Sequence, residues 1–259
     1  MVKIHHISQT YFNPPALTQP LIPNMSSSYV LTGGTGNTSL KIAAQLHEAG
    51  HKVIVASTKG PEGVPAPYTG VKFDWTDEST YSNALPSDAN IKGLYLLSPY
   101  LAITVDNVKN FIHLARERGV NRFVSMTATT PPPHHLEIEA YIKEIGKEGV
   151  EWTILKPSWF YGKYQLLLQR VRGRSLTIIC TENFTRDLFA PTINASDSFN
   201  SATQNGKMGL VSSDDIADIA VRALTDTVPH NIAHIIFGPE LLTYDDVSDA
   251  YWLLSPNSF

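Results

Sequence analysis

The segment Thr32-Gly33-Gly34-Thr35-Gly36-Asn37-Thr38-Ser39 constrains this chain most. It stands between a short β-rich run, 29–32, and a helical repeat of Leu40, Ala43, Ala44 and Leu46 that Gly50 stops. A strand that ends in glycines and feeds a helix is the first turn of a parallel βαβ unit. There the backbone can approach a pyrophosphate, and the helix N-terminus offers N–H groups and a positive dipole end. Gly33 and Gly36 keep the G-x-x-G spacing, Ser39 replaces a third glycine, and Gly34, Thr35, Asn37 and Thr38 complete the expected cradle. A P-loop does not fit, because Asn37 takes the place of its lysine and no glycine precedes Gly36 by five positions. The same glycines also suit a plain βα turn that binds nothing.

Strand-like runs recur at 53–56, 71–74, 93–97, 123–126 and 152–155. Val105, Val108, Phe111, Ile112 and Ala115 form one helical stripe between them, and Ile138, Tyr141, Ile142 and Ile145 another. Strand and helix alternate about six times, which predicts an α/β fold with a doubly wound parallel Rossmann sheet. Beyond Pro157 a helix is expected at 214–224, introduced by Ser212 with Asp215 as a capping box. A strand at 232–237 and a last helix opened by Thr243 and Asp246 follow. Residues 1–28 carry Pro14, Pro15, Pro20 and Pro23 and read as an unstructured extension, with Met25 as an alternative start. Residues 29–259 read as the nucleotide-binding domain with a small, truncated C-terminal substrate lobe.

Twenty Lys and Arg against 24 Asp and Glu leave a net charge of −4, the wrong sign for a protein held on nucleic acid by phosphate neutralisation. The longest apolar run, 91–105, is broken by Lys92, Ser98 and Pro99, so no membrane span is expected. A lone cysteine, Cys180, excludes an internal disulfide and every multi-cysteine metal site, and suits a reducing, cytoplasmic compartment. His5-His6 and His134-His135 are adjacent pairs without a metal-ligand spacing and read as surface histidines, so no metal is expected. No G-x-S-x-G elbow supports a serine hydrolase.

Cofactor choice is read about 20 residues past the glycines, where an acid would bond the ribose 2′-hydroxyl of NAD. Here stand Ala56, Ser57, Thr58 and Lys59, with no acid between Glu48 and Glu62, which favours NADP(H). Asp74 is placed to meet the adenine amino group with Trp75 beside it, and Ser98 and Pro99 end the fourth strand where backbone passes the nicotinamide ribose. The Tyr-x-x-x-Lys pair with which short-chain dehydrogenases protonate a substrate oxygen is missing from the helix after the fifth strand, where Tyr141 is followed by Ile145. Tyr68 and Lys72 have the spacing but lie between the second and third strands; Thr127 and Thr129 offer a polar strand-end role, with turn residues as the stronger reading. The catalytic group stays unknown.

Several strings taken together, TGGTGNTS at 32–39, FDW at 73–75, KPSWF at 156–160, VSSDDIA at 211–217 and GPELLTYDDV at 238–247, resemble the NmrA-like atypical short-chain dehydrogenases. Within these the chain is most similar to the festuclavine and agroclavine dehydrogenases of fungal ergot-alkaloid biosynthesis. The resemblance runs from about 29 to 249 in the same order. It implies NADPH-dependent reduction of a carbon–nitrogen double bond in an iminium formed from an aldehyde, a reaction that delivers hydride without protonating an oxyanion. It also implies that Trp159 and Phe160 line the cleft for an indole-type or other small secondary metabolite. Core packing is an equal alternative for those two rings. Lys156 replaces the family's arginine, the pattern is lost over 250–259, and 162–181 interrupts a string that joining Tyr161 to Glu182 restores. The expectation for 162–181 is a retained intron translated in frame, its three arginines among apolar residues leaving it poorly packed. The runner-up function is a non-catalytic NADP-binding sensor that signals to a protein partner.

Overall fold

The computed structural model describes residues 27–99, 103–161, 166–171, 174–179 and 205–243; for 159–161, 166–171 and 174–179 it describes the backbone alone. In chain order the elements are β1 (Ser28–Leu31), α1 (Asn37–Glu48), β2 (Lys52–Ser57), β3 (Thr69–Lys72), a 3-10 helix (Glu78–Ala84), β4 (Ile91–Leu97), α2 (Val105–Glu117), β5 (Arg122–Met126), α3 (Pro133–Gly146) and β6 (Glu151–Pro157). Then come β7 (Trp159–Tyr161), β8 (Leu166–Val171), β9 (Arg174–Ile179), β10 (Met208–Ser212), α4 (Ser213–Thr225), β11 (Ile232–Ile236) and β12 (Leu241–Leu242).

Alternation along the strands decides the layers, since successive side chains leave opposite faces of a sheet. Leu31, Val53, Val55, Tyr95, Val124 and Leu155 point to one face and bury Ile42 and Leu46 of α1 with Ile216 and Ala220 of α4. Val30, Ile54, Leu94, Leu96, Phe123 and Ile154 point to the other, against Phe111 and Ile112 of α2 and Ile138, Ile142 and Ile145 of α3. Both faces are covered, as an all-parallel sheet requires. Seven strands pair in the order β11-β6-β5-β4-β1-β2-β3, every pair parallel, which is the doubly wound topology the alternation predicts.

Four expectations need adjustment. The third strand is 69–72 rather than 71–74, because Phe73 leaves the sheet edge for an aromatic cluster, with ring centroids 4.8 Å from Phe111 and 5.4 Å from Tyr81. Ser28 is already buried in β1, one residue before the expected boundary. Ser212 caps α4 by accepting the Asp214 N–H at 3.1 Å, so the cap closes one residue earlier than a box with Asp215. The helix opened by Thr243 and Asp246 falls outside the described residues. Patterning also missed the small sheet in which β10 lies parallel to β7 and antiparallel to β12. Within 162–181, β8 and β9 form an antiparallel hairpin whose strands pair only with each other among the described residues, Leu166 opposite Ile179 and Val171 opposite Arg174. No described helix is long and apolar enough to cross a membrane, and no described cluster of three His, Cys, Asp or Glu suits a metal.

Candidate active site

In the strand order, β1 is the reversal point: the chain runs outward through β2 and β3 on one side and returns to β4 on the other. Open α/β sheets bind ligands in the crevice at such a point, outside the carboxyl ends of the strands. Thr32 holds this crevice. Its fully buried hydroxyl accepts the Leu97 N–H at 2.7 Å and lies 3.1 Å from the Tyr95 carbonyl, tying the ends of β1 and β4.

The loop that follows is glycine for steric reasons. Gly33 has φ +90° and a Cβ there would stand 2.7 Å from Leu97 Cδ2; Gly34 has φ +59° and its Cβ would stand 2.9 Å from Ser57 Cβ. Ser39, in the third glycine position, is buried and donates to the Thr32 carbonyl at 3.0 Å, so its hydroxyl closes the turn that a glycine would leave open. Gly36 is different. Its φ of −64° is open to any residue, and an added Cβ would meet only the Gly33 carbonyl, at 3.1 Å. It is the N-cap of α1 without a side-chain cap or a first-turn acid, so the helix start presents its N–H groups uncovered by its own side chains.

A cleft of about 570 Å³ lies over this loop, lined by Gly33, Gly34, Thr35 and Gly36 after β1 and by Ala56, Ser57, Thr58 and Lys59 after β2. Phe73 and Trp75 close one wall; Leu97, Ser98 and Pro99 close the other. Nine of the twelve expected cofactor residues therefore meet at one cleft. Asn37, Thr38 and Asp74 are not among its lining residues. Thr38 is buried in the first turn of α1 beside Asn37, and the Asp74 carboxylate folds back to accept Thr76 N–H and Oγ1 at 2.9 and 2.8 Å, which holds it below the usual carboxylate range. Trp75 is a buried core ring that also donates Nε1 to the Leu97 carbonyl at 3.3 Å. The side chains of Trp159 and Phe160 lie outside the described residues; their backbone pairs with Leu210 and Val211 of β10.

The sequence did not point to the polar group beside the cleft. His135 and Glu139, one turn apart on α3, are 4% and 3% exposed, so the surface reading of His135 is corrected. Glu139 Oε1 accepts from Thr127 Oγ1 at 2.9 Å and Oε2 pairs with Lys156 Nζ at 3.0 Å, which makes Thr127 a partner of the carboxylate and not a turn residue. His135 Nε2 stands 3.4 Å from Ser98 Oγ and 3.3 Å from the Pro99 carbonyl, on the cleft wall. Burial pushes its pKa down, only partly offset by the Pro99 carbonyl, while His134 lowers it further and Glu139 raises it. The i, i+4 spacing of His135 and Glu139 was the available signal. Tyr141, by contrast, points at α2, with the Lys109 ammonium 5.5 Å from its ring centroid.

No family model matches the chain. It is 39% identical over 229 residues to the agroclavine dehydrogenase of Claviceps fusiformis, covering 85% of this chain and 71% of that protein. The festuclavine dehydrogenase of Aspergillus fumigatus is 31% identical over the same shares. The chain belongs to the agroclavine and festuclavine dehydrogenase family of oxidoreductases. An oxidoreductase of Bacillus subtilis is also 31% identical, over 85% of the chain and 68% of that protein. Among solved structures, a UDP-glucose 4-epimerase of Thermotoga maritima superposes with TM-score 0.63 at 14% identity, covering 86% of this chain and 80% of that one. A short-chain dehydrogenase of Agrobacterium tumefaciens with bound NAD gives the same TM-score and identity over 88% and 83%. These distant structures share the Rossmann fold.

Proposed function

We propose that this member of the clavine dehydrogenase family is an NADPH-dependent reductase of the carbon–nitrogen double bond of an iminium, in fungal alkaloid or related secondary metabolism. The observation that carries it is the far end of the cleft, where the lining after β2 is Ser57, Thr58 and Lys59 and no lining residue is a carboxylate. A 2′-phosphate meets hydroxyls and an ammonium there, and Lys72, whose Nζ donates to the Thr58 carbonyl, adds a second cation close by. The Gly33–Gly34 turn, which leaves no room for a Cβ, supplies the backbone approach a pyrophosphate needs. Bound in this cleft, a nicotinamide dinucleotide supplies a hydride. The protein's share is to orient and to exclude water, with Trp159 and Phe160 as the proposed aromatic contacts for an indole cation.

NADPH should bind more tightly than NADH, and Lys59→Ala should narrow the difference by about tenfold, the worth of one charge-assisted contact. Fluorescence titration of both cofactors checks this, and equal affinity in the unmodified protein refutes it. A second reading, an NADP-binding sensor without turnover, is favoured by Tyr141, whose ring lies under the Lys109 ammonium of α2 and is not among the lining residues of the cleft. Cofactor oxidation on adding an iminium salt separates the two.

A further inference from the structure

The connection from α4 to β11 brings two imidazoles face to face. Asp226 caps the C-terminus of α4, His230 precedes β11, and His234 lies within it. His230 Nδ1 stands 3.2 Å from His234 Nε2, and His230 Nε2 stands 3.1 Å from Asp226 Oδ2. Spacing alone does not give this contact, since residues four apart on an extended strand are separated by about 13 Å. Asn231 turns the chain between the two histidines. Its φ of +48° is left-handed, and its Oδ1 accepts the Trp152 N–H of β6 at 3.0 Å, so the turn that folds His230 back over His234 is held by the sheet.

The carboxylate fixes the tautomer. An ionised Asp226 only accepts, so the His230 proton sits on Nε2 and Nδ1 keeps a bare lone pair aimed at His234. Two nitrogens that each bind one tetrahedral zinc ion at about 2.0–2.1 Å lie about 3.3 Å apart, and these two are already at 3.2 Å. A histidine that ligates a metal donates its other ring N–H to a carboxylate or carbonyl, which is the bond His230 makes to Asp226. Arg222 Nε lies 3.5 Å from the same Asp226 oxygen and balances its charge, while Arg122, whose Nη1 donates to the Asp226 carbonyl at 2.7 Å, is itself paired with Glu151. The His230 side chain is 19% exposed, which leaves an ion a path to the pair.

We propose that His230 and His234 chelate a divalent transition-metal ion of the copper or zinc type, with Asp226 orienting His230 from its far side. Without metal, His234 Nε2–H donates to His230 Nδ1. On binding, His234 takes its other neutral tautomer, with the proton on Nδ1, and both facing lone pairs go to the ion; neither imidazole gains or loses a net proton. No third described side chain completes a metal cage, so water fills the remaining positions and the ion is exchangeable. The chelate pins the Asn231 turn to β11, the edge strand of the seven-stranded sheet. None of the three residues lines the cofactor cleft, so the site is independent of the activity proposed above.

The test uses the full chain, stripped of metal by a chelator, at pH 7.5 in a non-coordinating buffer, where imidazoles are neutral. Calorimetric titration with CuCl2, ZnCl2 and MgCl2 should show a site for one Cu2+ or Zn2+ per chain, Cu2+ the tighter, and no uptake of Mg2+ at that site. Zn2+ at about 100 times its Kd should raise Tm by roughly 5 °C. His234→Gln should lack this site, and Asp226→Asn should weaken it at least about tenfold. NADPH affinity should stay parental in both variants. A His234→Gln protein that takes up Cu2+ and Zn2+ as the parent does, or a parent that binds neither, leaves the pair a plain hydrogen bond and overturns the chelate. Unchanged affinity in Asp226→Asn overturns the orienting role. If His234→Gln folds poorly, pulsed electron paramagnetic resonance on the parent with one equivalent of Cu2+ decides: coupling to the remote nitrogens of two imidazoles supports the site, and coupling to one or none overturns it.

Discussion

Lys156→Met removes the cation from a carboxylate that has almost no other recourse. Glu139 has a side chain 4% exposed, and without Lys156 it keeps the Thr127 hydroxyl and, at 3.9 Å, the ammonium of Lys143, which is itself 47% exposed. Breaking a buried pair by removing one partner costs about 3–5 kcal/mol. Lys156 is 17% exposed and Lys143 can move closer, so the lower end applies, about 3 kcal/mol. For a chain of this length that corresponds to a fall in Tm of roughly 6–12 °C. Glu139→Gln alone should cost less, because the flexible lysine stem lets the ammonium reach water. The double variant, with a neutral amide beside a thioether, should recover roughly half the loss of Lys156→Met. Urea unfolding followed by far-UV circular dichroism gives the four stabilities and hence the coupling energy. A Lys156→Met protein within about 0.5 kcal/mol of the parent, or a double variant that loses the sum of both singles, would refute this account of the pair.

Gly36→Val should lose NADPH affinity and keep more of the parental Tm than Gly33→Val, because its backbone at φ −64° is unstrained and its Cβ would meet only the Gly33 carbonyl, at 3.1 Å; Gly33→Val should lose both, since it adds a side chain at φ +90° against Leu97. Thermal shift with and without NADPH separates the two outcomes. Burial holds the imidazoles of His51, His135 and His234 below their ordinary value of 6.5. The unfolded chain therefore binds protons that the folded chain refuses, and stability should fall as pH drops below about 6.5. Asp74, also held low, acts only near and below 3.8. Tm measured from pH 7.5 to 5 should decline, with a shallower slope in His135→Asn; a flat profile contradicts this. Deleting 162–181 should leave the seven-stranded sheet folded, since the hairpin β8–β9 pairs only with itself among the described residues. Cooperative unfolding of the deletion protein checks this, and a chain that no longer folds refutes it.

The Rossmann sheet was legible because each of its strands is a contiguous local pattern bounded by turns, and the glycine loop marks where the ligand space opens. The register at β3 was not, since Phe73 obeys an aromatic cluster formed with Tyr81 and Phe111, residues up to 38 positions away. The two-residue strand β12 and three-residue β7 are too short to show a period at all. The Thr127–Glu139–Lys156 group draws on three elements whose sequences each look ordinary: a threonine after a strand, a glutamate on a helix and a lysine before a proline. Only the sheet brings them together, and burial then turns ordinary surface residue types into a costly and specific arrangement. Ser57 and Lys59 were easier to place side by side, because both sit in the turn that follows β2, where Ser57 Oγ accepts the Lys59 N–H at 3.1 Å.

The seventh strand enters the sheet late in the chain: β11 pairs with β6 across the 74 residues 158–231. Closing a loop that long is already entropically expensive, but the cost grows only with the logarithm of length. Shortening it by the 20 residues 162–181 changes the closure term by only about 0.3 kcal/mol. A sheet whose last strand returns over such a span is thus nearly indifferent, in closure entropy, to the extra length of the excursion. The sensitivity is kinetic. Six strands can assemble from neighbouring βα units while the β6 edge waits, and the time for which that edge stays bare is set by the search of the returning segment.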